Sequence, residues 1–176
     1  MKNVMVRRIF KVFIRRRETV EASDRLRVLA SFIRFLEESL NYKFNVNREF
    51  EKRFLLQKYV FLARLFGLDM GYRFSLYLYG PYSSELADDY YEVAKKRGLA
   101  LTPLPNTFER EGFINLVKDK DSTWLEIASS IILVKERYPN LSGEEAYNVL
   151  RFSKPWLSKE LFDEVYYVLE GKRVIG

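Results

Sequence analysis

Cysteine and histidine are both absent from the 176 residues of this chain. The first absence removes any disulfide framework and any thiolate nucleophile. The second removes the imidazole that serves as general base near neutral pH. Together they exclude zinc sites built from Cys and His. Catalysis by this chain would fall to carboxylates, lysines, hydroxyls or a carboxylate-bound Mg²⁺. Also missing is any apolar run near the roughly 20 residues that a membrane-spanning helix needs. The N-terminal region lacks the uninterrupted apolar core and small-residue cleavage site of a secretory signal, because arginines break each apolar cluster. The expectation is a soluble cytoplasmic protein. With 48% hydrophobic residues there is enough apolar material for a core, and the length predicts one domain. Absent cysteine beside 31% charged residues also matches a thermophile-like composition.

Charge is unevenly placed. Lys2, Arg7, Arg8, Lys11, Arg15, Arg16 and Arg17 fall within the first 17 residues, which hold no acid, leaving 23 basic against 24 acidic residues in the rest. The formal net charge of +6 therefore sits on one short arm. Within residues 4–17, Met5, Ile9, Val12 and Phe13 recur at helical spacing, with Arg8, Lys11 and Arg15 on another side. That pattern predicts a basic amphipathic helix over a segment bounded at residue 22, with a strand as its competitor. Met5 is an alternative start.

Residues 23–176 read as a single helical domain with a small β element. Ser23-Asp24 precede a stripe of Leu26, Leu29, Ala30, Ile33, Leu36 and Leu40. Asn47 stands as a cap for a helix over about 48–66 that stops at Gly67. The core of that helix, "FLLQKYVFLARLF", is apolar nearly all round, with Gln57 and Lys58 as polar interruptions, which places it at the centre of the fold. Phe74 to Tyr79 alternates, with Phe74, Leu76 and Leu78 on one side and Ser75, Tyr77 and Tyr79 on the other, and predicts a strand ended by Gly80-Pro81. Ser83 or Ser84 then caps a helix to about Arg97, with Gly98 as its stop. "LTPLPNTFEREGFINLV" reads as a β-hairpin or wing, its prolines confining the first half to an edge or loop. Thr123-x-x-Glu126 and Ser142-x-x-Glu145 are capping-box patterns, opening helices to about Arg137 and Phe152. A last helix covers about 158–170 and stops at Gly171.

The richest stretch is "FSLYLYGPYSSELADDYYEVAKK", residues 74–96, where Tyr77, Tyr79, Tyr82, Tyr90 and Tyr91 cluster close behind Tyr72. Glu85, Asp88, Asp89 and Glu92 lie at i,i+3 and i,i+4 spacing on one helix. Such carboxylates can hold Mg²⁺ in a nuclease. The plainer reading is dipole compensation, with acids in the first turns and Lys95 and Lys96 in the last. Tyrosine stripes are ordinarily core, though Tyr is also enriched at protein interfaces and stacks on bases. Gly80 permits an unusual dihedral or a close approach where strand turns to helix, and Pro81 fixes the exit direction. "YGPYS" is thus a rigid corner whose following helix begins with free N–H groups, suited to a purely structural turn or to a partner's carboxylate.

"LLQKYVFLARLFGL", "YRFSLYLYGPYSSELADDYYEVA" and "WLEIASSIILVKERYP" together resemble the YwgA-like family of uncharacterised prokaryotic proteins. More distantly they resemble the Panacea, or SocA-type antitoxin-associated, domain. The likeness covers about residues 50–170 and rests on a Leu-Gln-Lys helix, a Tyr-Gly-Pro corner and a later Leu-Glu helix, of which "LYLYGPYSSELADD" is the most specific part. It implies a helical, non-enzymatic domain that, in the antitoxin-related group, binds and neutralises or delivers a partner protein. It carries over no catalytic residue. The basic arm is a departure from that pattern.

The reading that results is a mainly α (α+β) fold with one small β element and a basic amphipathic N-terminal segment. Its function is non-catalytic binding or regulation through a protein partner, with Tyr77, Tyr79, Gly80, Pro81, Tyr82 and Ser83 as the partner surface and no cofactor, metal or small-molecule substrate. The alternative is a nucleic-acid or ribonucleoprotein binder using the basic residues of segment 2–17 on phosphates, with Phe10 and Phe13 stacking on exposed bases. Membrane-surface contact through Ile9, Phe10, Phe13 and Ile14 ranks after both. A winged-helix DNA reader ranks below the arm, because Glu85, Asp88 and Asp89 on its recognition helix would face phosphates. The Mg²⁺ nuclease ranks last.

Overall fold

The computed structural model describes residues 22–45, 47–96 and 98–175. The basic segment, save its last residue, lies outside them. The fold is mainly α with one two-stranded hairpin. Helix α1 (Ala22–Leu40) turns Leu29, Phe32, Ile33 and Leu36 into the core. Ser23 and Asp24 fall inside its first turn rather than before it. It stops where Asn41 takes a left-handed φ of 52°, which Asn tolerates better than most residues.

Helix α2 (Phe50–Ala63) is buried at every residue from Leu56 to Ala63, Gln57 and Lys58 included. Its N-cap is Glu49, not the expected Asn47. A 3₁₀ turn (Arg64–Phe66) prolongs it to Gly67 at φ 84°, where a side chain would drive its Cβ to 2.1 Å from the Thr107 carbonyl oxygen.

Strands β1 (Ser75–Tyr77) and β2 (Gly80–Tyr82) pair antiparallel, Ser75 with Tyr82, Leu76 with Pro81 and Tyr77 with Gly80. This corrects the sequence expectation. Gly80-Pro81 does not end the strand; it opens the return strand. Gly80, at φ 83°, supplies the left-handed residue that closes a short hairpin loop. Pro81 has no N–H to donate and stands opposite Leu76, between the other two pairs, where its carbonyl points away from the ladder. Helix α3 (Ser84–Lys95) follows at once, Ser83 Oγ accepting from the Leu86 N–H at 3.3 Å. It lies along α1, tied by Arg25 Nε to Asp89 Oδ2 at 2.7 Å.

The stretch expected as a second hairpin or wing is not one. Its first part is irregular, and helix α4 (Arg110–Val117) occupies the rest. Phe113, Leu116 and Val117 are its buried residues, a helical spacing obscured in the sequence by Gly112. A Cβ at Gly112 would come within 3.0 Å of the Phe66 ring, so this glycine serves close packing. Helix α5 (Ser122–Arg137) is buried from Trp124 through Val134 and is capped by Asp121, which accepts from the Trp124 N–H at 2.7 Å. The expected capping box at Thr123 and Glu126 therefore does not form, and Glu126 is free for another task. Helix α6 (Gly143–Ser153) opens with the expected capping box of Ser142 and Glu145. Helix α7 (Lys159–Gly171) is capped by Ser158.

Helices α2 and α5 form the central pair. The hairpin lies across both, α4 packs on α2, and α6 and α7 pack on α5. Among the described residues no helix is long and apolar enough to cross a membrane.

Candidate functional site: an aromatic hairpin on a buried charge cluster

Gln57 and Lys58 are adjacent on α2 and both reach the hairpin. Gln57 Nε2 donates to the Ser83 carbonyl at 2.9 Å, and Gln57 Oε1 accepts from the Ser83 N–H at 2.9 Å. One amide thus satisfies both backbone groups of the residue that caps α3. Lys58 Nζ donates to the Pro81 carbonyl at 2.9 Å and lies 4.6 Å from the centre of the Phe54 ring.

Lys154 approaches from the segment after α6. Its Nζ donates to the Leu78 carbonyl at 2.8 Å and pairs with the Glu126 carboxylate on α5. Ser130 Oγ donates to the Glu126 backbone carbonyl at 2.7 Å. Gly80 rests against this spot, where a Cβ would sit 2.8 Å from Ser130 Oγ and 3.4 Å from the Glu126 carbonyl oxygen. The hairpin is therefore held from below by two lysines on two of its carbonyls and by a glycine in close contact with α5. Lys58, Lys154 and Glu126 are all buried. Burial pushes the Lys58 ammonium down to about 7; Glu126 opposes that shift and Lys154 adds to it.

The outer side is different. Tyr77, Leu78 and Tyr79 are each more than half exposed, at 58%, 60% and 52%. Tyr79 meets Phe50 edge-on with ring centres 5.6 Å apart and lies 6.4 Å from Phe54. Tyr77 packs on Tyr82 at 5.4 Å. Trp156, half exposed, is held near the tip through Lys154, whose Nζ is 5.8 Å from its ring centre. Exposed apolar side chains thus continue from Phe50 to Tyr79 and the neighbouring Leu78, and Trp156 stands nearby, Lys154 Nζ reaching both the Leu78 carbonyl and the Trp156 ring. Buried cations lie under the rings of Phe54 and Trp156.

The six residues expected as a partner surface divide into two groups. Tyr77, Tyr79 and Tyr82 face outward. Gly80, Pro81 and Ser83 are buried and fix the hairpin in place. Tyr72 and Tyr90 are core residues. The four carboxylates do not converge. Asp89 accepts from Arg25 and from the Tyr72 hydroxyl, the latter at 2.8 Å. Glu85 pairs with Arg73 at 2.6 Å and Glu92 with Lys95 at 2.9 Å, while Asp88 points to solvent. Among the described residues no group of three or more acidic side chains is placed to hold a metal ion. Lys2, Arg7, Arg8, Lys11, Arg15, Arg16 and Arg17 lie outside the described residues.

Lys154, Trp156, Leu78, Phe50 and Ser130 carry no site signal in a local reading of the sequence. Lys58 reads there as a polar interruption of its helix and Glu126 as part of a capping box, though they also stand in the Leu-Gln-Lys and Leu-Glu pieces of the family-like motifs. Those two pieces and the Tyr-Gly-Pro corner meet at one place in the fold. Comparison of the chain with protein-family models, with curated proteins and with solved structures finds no match.

Proposed function

We propose that this chain is a non-catalytic binding protein whose partner-facing surface is the tip of the hairpin, Tyr77 to Tyr82, extended by Phe50 and Trp156. One observation carries the reading. Large apolar side chains stand in water on a short hairpin whose backbone is clamped by buried lysines and a glutamine. Exposed aromatic clusters on a rigid support suit protein recognition, because little side-chain or backbone freedom is lost on binding. Leu78 stands exposed in the hairpin turn, whereas Phe74, just before the first strand, is buried. The resemblance to antitoxin-associated domains agrees with a protein partner and a cytoplasmic setting. The test is a photoreactive residue at position 79, with position 167 on α7, which is more exposed still, as the control. A partner cross-linked from 79 and not from 167 supports the reading; equal labelling from both positions contradicts it.

The concentration of seven basic residues and no acid in the first 17 favours a second activity. This is nucleic-acid or ribonucleoprotein binding through residues 2–17, independent of the hairpin. Its sign is binding to RNA or DNA that weakens steeply with salt and vanishes when residues 1–17 are removed.

A further inference from the structure

The charges under the hairpin do not balance. Lys58 and Lys154 bring two ammonium groups and Glu126 one carboxylate, at 2%, 0% and 7% exposure. Lys154 takes the carboxylate as well as the Leu78 carbonyl. Lys58 has the Pro81 carbonyl and the face of Phe54, neither of which bears a full negative charge. An ammonium buried without a counter-charge is costly, and the usual escape is loss of its proton.

Among the described residues, the elements packed against α2 bring no second anion to Lys58. Helix α5 contributes Glu126 to the cluster, its other carboxylate, Glu136, being paired with Arg64 on the 3₁₀ turn beyond α2; the segment after α6 contributes another cation, Lys154, and the hairpin contributes carbonyl oxygens. Helix α3 contributes Tyr90, a phenol whose burial pushes it up to about 12, so it stays neutral. Helix α4 faces α2 with Phe113, against Tyr59.

We propose that this cluster is a proton-operated latch on the hairpin: a proton on Lys58 loosens the hairpin from α2 and α5, and its loss seats the hairpin. Lifting the hairpin exposes Lys58 to water, where lysine keeps its proton to far higher pH. The seated form therefore binds fewer protons than the lifted one. Below about pH 7 Lys58 is protonated in both forms and the balance is flat. Above that, towards the ordinary lysine range, each pH unit favours seating by up to about tenfold. The aromatic tip is then at its most rigid on the alkaline side and loosens near neutrality. The proposal concerns the surface given a partner role above, but its test needs no partner, so either reading can fail alone.

The test is hydrogen exchange at the Ser83 amide, which bonds to Gln57 across the hairpin seat at 2.9 Å, in the full chain and corrected for intrinsic exchange. The opening constant is expected to fall about tenfold between pH 6 and pH 8 and about tenfold again by pH 9. In Lys58→Met the profile is expected to be flat over the same range. An unchanging profile in the wild-type chain, or a slope that survives in Lys58→Met, overturns the proposal. If Lys58→Met does not fold, an NMR titration of the Lys58 side chain in the wild-type protein decides. A midpoint near 7 upholds the latch, and titration together with the surface lysines refutes it.

Discussion

Lys154 Nζ donates to the Leu78 carbonyl across 76 residues of chain, at 2.8 Å, while pairing with Glu126. That one ammonium joins the segment after α6, the middle of α5 and the tip of the hairpin. With Lys58 on the Pro81 carbonyl and Gly80 against α5, it holds the backbone that carries the exposed aromatic residues.

The first prediction concerns this pair. Glu126→Gln leaves the buried Lys154 ammonium without its carboxylate and is expected to cost about 3–5 kcal/mol in urea unfolding. The double variant Glu126→Gln with Lys154→Met removes the stranded charge and is expected to be more stable than Glu126→Gln alone. Equal or lower stability of the double variant would mean that Lys154 matters for its packing rather than its charge.

A second prediction separates backbone strain from crowding at glycine. Gly80 and Gly98 both have positive φ, 83° and 78°, but a Cβ at Gly98 meets nothing within 4 Å, whereas at Gly80 it meets Ser130 Oγ. Gly98→Ala is expected to cost about 1 kcal/mol from strain. Gly80→Ala is expected to cost about 2–4 kcal/mol, the excess being displacement of Ser130. Equal losses by denaturant unfolding would show that the contact with α5 carries no weight.

Gln57 and Ser83 give a third. Ser83→Ala removes one helix cap and is expected to cost about 1 kcal/mol. Gln57→Leu strands the buried Ser83 N–H, while the Ser83 carbonyl keeps the Ala87 N–H at 3.1 Å, and is expected to cost more, about 2–3 kcal/mol. The reverse order would place the weight on the cap instead of the amide clamp.

Global stability should carry the mark of Lys58. Its folded-state pKa is lowered to about 7 from an ordinary 10.5. Over that window the unfolded chain binds more protons than the folded one, so stability rises with pH and is flat just below it. Burial makes this a contribution of a few kcal/mol over the window. Urea titrations at pH 7, 8 and 9 check the sign, with Lys58→Met as the reference that lacks the rise.

Much of the fold was legible because its signals are local. Ser142-x-x-Glu145, Ser83, Gly67 and the apolar run of α2 each declare themselves within one or two turns of helix. The return strand did not, because Gly-Pro reads equally as a strand's end or as the turn-side start of its partner, and only the Leu76–Pro81 pairing decides. Helix α4 was hidden by a glycine that serves packing against Phe66. The charge cluster was least legible. Lys58, Glu126 and Lys154 are spread over nearly a hundred positions with no periodic relation, and in each local frame they read as an interruption, a cap or nothing. Their meeting is a product of α2 and α5 crossing beneath the hairpin. Of the expected surface, alternation set Tyr77 and Tyr79 on one side, both now exposed, and Leu78 on the other with the buried Phe74, because a strand was carried through what is a turn; Tyr82 lay beyond that pattern.

The measurement that bears most directly on the central claim compares the wild-type chain with a Leu78→Asp, Tyr79→Ser variant. Both are checked for the same fold by circular dichroism and used at equal concentration to recover the partner cross-linked from position 79. The account predicts that the variant folds, because both side chains stand in solvent, and that it recovers at least tenfold less of that partner, as loss of a central apolar anchor entails. Undiminished recovery by a folded variant would contradict it.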